Sequence, residues 1–329
     1  PCLARATLAV KAQNGQAARG EGDNMGAKII DGKSLAVKFR QEIGKEVENL
    51  KHRYGMAPLL AAIQVGENPA SRVYVSSQRK SCEEVGIEYQ LHELPEKTNE
   101  EELLRFLEKL NRNGKVSGII LEMPLPQHIN ARRVQMSIVP AKDVEGMSPS
   151  NMGMLVYGSP KLAPCTALAA MELLKSTGVD IKGKEVTVVG HSEIVGKPIA
   201  LFLLSSVLES ATPTVCHIAT RDLASHTRNA EILIVAVGKA GLIRGDMIKD
   251  GAIVIDVGIN RVPVLDENGK PVVDSDGKTR MKIVGDVVFE EAVEKASYIT
   301  PVPGGVGPLT VLMLLRNTVN AFKWQREKE

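Results

Sequence analysis

A few stretches of this chain bring together residue types that do chemistry rather than fill space. Gly190-His191-Ser192-Glu193-Ile194-Val195-Gly196-Lys197-Pro198 joins an apolar strand to a helix with Pro198 in its first turn, where proline is tolerated. Its glycines lie six apart, so it is not the GxGxxG fingerprint. The context of strand, glycine turn and helix N-terminus still suits a dinucleotide pyrophosphate; a plain βα turn is the alternative. Val237-Gly238 and Asp256-Val257-Gly258-Ile259-Asn260 end later strands. Ligands of such sheets gather outside the strand carboxyl ends, which favours the nucleotide reading. In Lys142-Asp143-Val144-Glu145-Gly146, one carboxylate suits a polar ligand and Lys142 pairs with the other; a solvated turn with a salt bridge has the same composition. Ile299-Thr300-Pro301-Val302-Pro303-Gly304-Gly305-Val306-Gly307-Pro308-Leu309-Thr310 is rigid, apolar and closely approachable. It suits a cleft wall or a buried interdomain turn.

Strands and helices must hold these stretches in place. Apolar residues at three- and four-residue steps (Ala36, Phe39, Ile43, Val47, Leu50) predict a helix over 34–54, stopped by Gly55. Further helices are expected over 71–85, 99–110, 167–177 and 195–208, and after Pro308 with Leu309, Leu312, Leu315, Val319 and Phe322 inward. Buried strands are expected over 58–65, 118–123, 185–189, 214–217, 232–237 and 252–257. Asn268-Gly269 and Asp276-Gly277 mark a surface β excursion over 262–282. The alternation predicts an α/β fold of two lobes around a cleft: an N-terminal α/β lobe, a Rossmann-type nucleotide-binding lobe, and a last helix returning to the first lobe.

The 329 residues are 43% hydrophobic and 24% charged, an ordinary globular profile with room for two cores. A net charge of +2 and 3% aromatics favour neither nucleic acid nor a membrane surface, and no apolar run is long enough to span a bilayer. Cys2, Cys82, Cys165 and Cys216 form no CxxC pair, and the six histidines form no HxxxH pair, so no metal site is expected. Residues 1–24 differ in composition from the rest, and Met25-Gly26-Ala27-Lys28 reads like a natural start. That leader is expected to be disordered or non-native, whether a transit-peptide remnant, a scar or an over-called start.

Taken in order, these motifs resemble one family, the methylenetetrahydrofolate dehydrogenase/methenyltetrahydrofolate cyclohydrolases. The resemblance runs from about Lys28 to Trp324. It rests on Val65-Gly66-Glu67-Asn68-Pro69-Ala70-Ser71 with Tyr74, on Pro124-Leu125-Pro126, on 142–146, on Pro164-Cys165-Thr166, on 190–198, on Asp256 to Arg261, on Gly285-Asp286-Val287 and on 300–310. It implies a folate-binding domain over 25–149 plus 302–329 and an NAD(P)-binding domain over 150–301. Tyr74, Gln78, Glu122 and Glu145 take the catalytic positions. Pro124, Leu125, Pro301, Pro303, Gly304 and Gly305 join them around the substrate. Cys165, Thr166, Gly190, His191, Ser192, Ile194, Val195, Gly196, Pro198, Arg221, Val237, Gly238, Gly258, Ile259, Thr300, Gly307 and Thr310 fall at cofactor positions. A tetrahydrofolate one-carbon substrate, a homodimer and a cytoplasmic location are implied, or the mitochondrial matrix if the leader is a transit remnant.

The chain departs from the family pattern in one pocket. The pattern Tyr-x-x-x-Lys becomes Tyr74-Val75-Ser76-Ser77-Gln78, a glutamine precedes Pro-Leu-Pro where this chain has Glu122, and the charged knot ends in Glu145 instead of Asp. Lys80 is turned about 200° around a helix from Tyr74's face-mate position, so it is no substitute. Gln78 has no titratable proton. The expectation is therefore hydride transfer from 5,10-methylene-tetrahydrofolate with the cyclohydrolase step weak or lost. The alternatives are a bifunctional enzyme in which Glu122 or water replaces the lysine, and a folate-binding pseudoenzyme. NADP is the family default. His191 and Ile218 stand where stronger phosphate contacts are usual, which leaves NAD open, with Arg221 as a compensating cation.

Overall fold

The computed structural model describes residues 26–67, 69–206 and 208–327. The leader at 1–24 and Asn68 lie outside them. The first part of the chain forms β1 (Lys28–Ile29), α1 (Gly32–Tyr54), β2 (Leu59–Val65), α2 (Pro69–Val85), β3 (Glu88–Leu94), α3 (Glu100–Arg112), β4 (Gly118–Leu121), α4 (Ala131–Gln135) and α5 (Pro149–Val156). Then come α6 (Cys165–Ser176), β5 (Glu185–Val189), α7 (Gly196–Leu203), β6 (Thr212–Cys216), α8 (Leu223–Asn229), β7 (Ile232–Val235), β8 (Ile253–Asp256), β9 (Asn260–Pro263), β10 (Met281–Val284), α9 (Phe289–Ala292), β11 (Tyr298–Ile299) and α10 (Gly307–Arg326).

Local chemistry sets the element ends. Asp31 caps α1 by accepting from the amides of Lys33 and Ser34, and Gly55 ends it at φ 69°, its N–H on the Lys51 carbonyl. Asn99 and Glu102 close a capping box at α3. β2 is buried along its whole length because it is the middle strand of the parallel sheet β3-β2-β4; a strand covered on both faces shows no polar alternation. β3 is the edge of that sheet and mixes exposed and half-buried residues, and sequence reasoning missed it.

The second sheet has the order β1-β11-β8-β7-β5-β6, every pair parallel. From β6 to β11 this is the doubly wound order whose direction reverses between β5 and β7, and a crevice opens there at the strand ends. Residues 28–29, which the sequence groups with the first lobe, pair with β11 at the margin of this sheet. The 262–282 excursion is an antiparallel β9–β10 ribbon. Helix α7 stops at Leu203 rather than Leu208, because Ala211 donates to the Leu203 carbonyl as the chain turns into β6. Leu204 and Leu208 keep helical spacing but are 55% and 77% exposed.

Helix α10 returns to the first lobe and also packs on α6, so it spans both. Leu309, Leu312, Leu315, Val319 and Phe322 are all buried on it, each contributing about 2 kcal/mol by burial. Lys323 pairs with Glu46 of α1 at 2.6 Å, and Gln325 donates to the carbonyls of Ser117 and Ala141 at 2.7 and 3.0 Å. Buried Asn317 donates its amide to the carbonyls of Val144 and Ala163 at 2.7 and 2.8 Å, which pins the 142–146 turn and the start of α6 to one helix. Asn317→Leu leaves those carbonyls without a partner in the interior. It should lower unfolding stability by about 3 kcal/mol, read as a fall in the urea midpoint with the slope unchanged.

Candidate active site

A cavity of about 340 Å³ lies where the two lobes meet. Tyr74 and Gln78 reach it from α2, Glu145 from the charged turn, Thr166 from the start of α6, Ile259 from beyond β8, and Thr310 from α10. Cys165 and Gly307 also line it. Residues that the sequence assigns separately to substrate and cofactor thus share one wall. A larger cavity of about 540 Å³ lies beneath the β9–β10 ribbon, but it lacks Tyr74, Gln78 and Glu145.

Side-chain spacing on α2 decides what faces the cavity. Tyr74 stands at the rim, 65% exposed, and Gln78, one turn on, is buried at 7%; residues four apart share a helix face. Lys80 is exposed, and no lysine lines the cavity. Tyr89 of β3 donates its hydroxyl to Gln78 Oε1 at 3.2 Å. Glu122 follows β4, is 6% exposed, and its Oε1 is buried with no hydrogen-bond partner. Burial pushes the Glu122 carboxyl up to about 7, a rise the Gln78 amide opposes. Glu122 itself does not line the cavity. Pro124 is exposed and Leu125 leans onto the first-lobe core.

Glu145 accepts from Gln135 at 3.3 Å, and burial, then Asp143 and Glu122, push its carboxyl up to about 8. Asp143 is spoken for by the Ser148 amide and Asn151 at 2.6 and 2.9 Å. The expected pairing of Lys142 with a knot carboxylate does not form. Its ammonium turns the other way and caps α3, donating to the carbonyls of Leu110 and Asn113 at 2.9 and 2.7 Å. A helix C-terminus offers bare carbonyls at partial negative charge, and the lysine satisfies them. Cys165 donates to the Val144 carbonyl, and burial holds its thiol protonated, which suits a wall residue and not a nucleophile.

On the nucleotide side the β5–α7 turn fits a dinucleotide. Gly190 sits at φ 117°, where L side chains are strained, and a Cβ at Gly196 would collide with the Gly190 carbonyl. The turn is thus shaped for close backbone approach. Ser192 Oγ accepts from the Val195 amide at 3.2 Å, Ile194 is half exposed, and Pro198 is buried in the helix. His191 and His217 meet edge to face, ring centroids 5.0 Å apart, at the ends of β5 and β6, with exposed Ile218 and Arg221 beyond. Imidazoles stand here, where a phosphate-selective site has guanidinium groups.

Other cofactor-position residues have structural work. The amides of Val237 and Gly238 donate to Asp286 at 2.7 and 3.0 Å, and Asn260 completes its partners at 2.8 Å. Asp256 accepts from the amides of Gly258, Asp286 and Val287, and the buried Thr300 hydroxyl accepts from the Asp256 amide at 2.7 Å. This pair of buried carboxylates fixes the ends of β7 and β8. Pro301, Pro303, Gly304 and Gly305 line a smaller cavity of about 200 Å³ that shares Ile259 and Gly307 with the first. Tyr89, Asp256 and Asp286 were not expected as site residues. An aspartate ending the apolar strand β8 two residues before a glycine was the available signal for Asp256, and the Gly285-Asp286-Val287 motif was the one for Asp286; Tyr89 had none, because β3 was unseen. Among the described residues no His, Cys, Asp and Glu group could hold a metal ion, and no helix is long and apolar enough to cross a membrane.

The raised Glu145 carboxyl carries a pH signature. Its ordinary value is 4.5 and its folded value about 8, so the folded state holds the proton more tightly. The stability this gives is complete below pH 4.5 and is lost as pH rises through 8. Glu145→Gln stays neutral, so its stability relative to wild type should climb over that interval by about 5 kcal/mol. Urea titrations at the two ends of the interval read the difference.

Residues 30–145 match the family model for the tetrahydrofolate dehydrogenase/cyclohydrolase catalytic domain, and residues 164–326 match the NAD(P)-binding domain of the same family. A protein of Moorella thermoacetica named bifunctional protein FolD is 50% identical over 299 residues, covering 91% of this chain and all of that one. A protein of Nautilia profundicola with the same name is 48% identical, covering 90% and 97%. The crystal structure of the bifunctional FolD dehydrogenase/cyclohydrolase of Campylobacter jejuni superposes with a TM-score of 0.81 at 45% identity, over 90% of this chain and 99% of that one. That of Trypanosoma brucei, complexed with NADP and an inhibitor, gives 0.80 at 41%, over 91% and 98%. With both lobes matched and the cavity at their junction, the chain belongs to the tetrahydrofolate dehydrogenase/cyclohydrolase family.

Proposed function

We propose that this protein is a bifunctional enzyme. It oxidises 5,10-methylene-tetrahydrofolate to the methenyl cation with a nicotinamide dinucleotide and hydrolyses that cation to 10-formyl-tetrahydrofolate. The observation that carries the reading is the shared cavity, where Tyr74, Gln78 and Glu145 face Thr166 and Ile259. The names of the relatives favour two activities over the expectation that hydrolysis is lost. Residues 25–149 with 302–329 would hold the folate and residues 150–301 the dinucleotide.

When bound, the nicotinamide supplies the hydride acceptor for the first step. The chain's own residues position and exclude water. Tyr74 covers one face of the ligand at the rim. Glu145, protonated near neutrality, offers the pterin ring both a donor and an acceptor. Gln78 holds the reacting edge. In the second step, Glu122 takes the part of the missing lysine. With its carboxyl near 7, it is part ionised at neutral pH, the poise a general base needs. Its Oε1 is buried without a hydrogen-bond partner, and a base can act through one intervening water. The water oxygen bonds to the bridging carbon as Glu122 takes a proton. The carbon–N5 bond then breaks; one proton ends on N5 and one is released. The carboxylate also favours the cationic methenyl state electrostatically.

Decay of added methenyl substrate and formation of reduced cofactor, followed separately, test this. Glu122→Gln should lower hydrolysis at least ~100-fold while dehydrogenation persists. Undiminished hydrolysis would remove Glu122 as the base, and absence of both activities in wild type would remove the function. For the cofactor, we infer NADP use with weak discrimination against NAD, because imidazoles stand at 191 and 217 beside Ile218. Arg221→Ala should cut kcat/KM for NADP about tenfold and leave that for NAD nearly unchanged. Equal losses with both cofactors would remove Arg221 as the phosphate contact.

A further inference from the structure

Asp286 is fully buried, and no step of the proposed reaction uses it. Its Oδ2 accepts from the amides of Val237 and Gly238, just beyond β7, at 2.7 and 3.0 Å. Its Oδ1 accepts from the side-chain amide of Asn260, the first residue of β9, at 2.8 Å. Between Asp256, which ends β8, and Asn260 runs the short arc Val257-Gly258-Ile259. Val257 and Ile259 both line the cavity of about 340 Å³. We propose that Asp286 is a positioning residue: through Asn260 and the Val237 and Gly238 amides it fixes this arc as the wall that receives the dinucleotide. The role rests on the dinucleotide reading of the site, whereas the brace itself is a matter of hydrogen bonds.

Burial does little to anchor the arc, since Ile259 is 61% exposed. A segment with so little apolar area removed from water opens locally at low cost. Polar contacts hold it instead. On one side the Gly258 amide donates to Asp256 Oδ1 at 2.9 Å; on the other Asn260 is tied to Asp286. A Cβ on Gly258 would collide with the Asp286 carboxyl, so that carboxyl lies directly on the backbone of the arc. The reciprocal also holds. A Cβ on Gly285 would collide with Asp256 Oδ2, and Asp256 accepts from the amides of Asp286 and Val287 at 3.1 and 2.9 Å. Each carboxyl covers a glycine near the other aspartate, and glycine allows so close an approach.

The partners are distant in sequence and meet because β9 pairs with β10, Asn260 standing opposite Val284 just before Gly285-Asp286. Asparagine suits position 260 because a carboxylate only accepts and the amide brings the donor. A carboxylate at 260 would set acceptor against acceptor beside a buried group. Exchanging both residues repairs this. With Asn260→Asp and Asp286→Asn together, the amide at 286 keeps its oxygen under the Val237 and Gly238 amides and turns its NH₂ to the carboxylate at 260. Every bond is then made again, with one donor reversed.

Hydride transfer needs the dinucleotide; hydrolysis of added methenyl substrate does not. Asn260→Asp should slow single-turnover hydride transfer about tenfold. Hydrolysis should change no more than about twofold, because Gln78, Glu122 and Glu145 come from the first lobe. Asn260→Ala, which removes the donor without adding a charge, should show the same selectivity with a smaller loss. Asn260→Asp combined with Asp286→Asn should return hydride transfer to within about threefold of wild type. Unchanged hydride transfer in both single variants, equal losses of the two activities in Asn260→Ala, or no recovery in the double variant overturns the proposal. If the wild type carries out neither reaction, the functional reading fails, and binding of reduced dinucleotide, read from its fluorescence, still decides the brace. Binding weakened in Asn260→Asp and restored in the double variant upholds it; equal binding by all three proteins overturns it.

Discussion

Everything at this site follows from taking carboxyl groups out of water without giving them a cation. The Glu122 charge acts on Glu145, and the lysine nearest in sequence, Lys142, spends its charge on the end of α3. Desolvation penalises the ionised form, so both carboxyls are held well above the usual carboxylate range. A glutamate so placed changes protonation around neutrality. In the proposed function, Gln78 and Glu145 in the cavity wall and Glu122 outside it make up one change of proton chemistry rather than three losses.

The scaffold serves that pocket by fixing ends. Strands β5, β7 and β8 stop at one level, and Asp256 and Asp286 tie the exits of β7 and β8 together through backbone amides. Helix α10 starts at the cavity and runs back across α6 and α1. Asn317 on it grips both the charged turn and the start of α6. The lobes are thus joined by one helix and its polar contacts, with the cavity at its first turn. The edge-on His191 and His217 lie at the ends of β5 and β6.

Much of the fold was legible because periodicity reports burial. The continuous apolar run of β2 and the stripe of α1 gave their elements directly, and the alternation of strand and helix gave the class. Partial burial was what defeated the reading. β3 carries Glu88, Gln90, His92 and Glu93 among its apolar residues because it is an edge, so it looked like loop and hid Tyr89. Leu204 and Leu208 had helical spacing on a chain that had already turned away. At the site, residue types pointed to the charged knot with Glu145 and the family resemblance placed Gln78 and Glu122, but partners are a property of three dimensions. The charged knot looked like an ion pair. The fold instead gives Lys142 to helix carbonyls and Asp143 to Ser148 and Asn151.

The claim that a desolvated carboxyl stands in for an amine is most directly tested by the pH dependence of single-turnover methenyl hydrolysis by the wild-type protein, with the solvent rate subtracted. The account predicts a rate that rises with pH and levels off, with a midpoint near 7 belonging to Glu122. A rate that climbs with hydroxide throughout, with no such inflection, would contradict it.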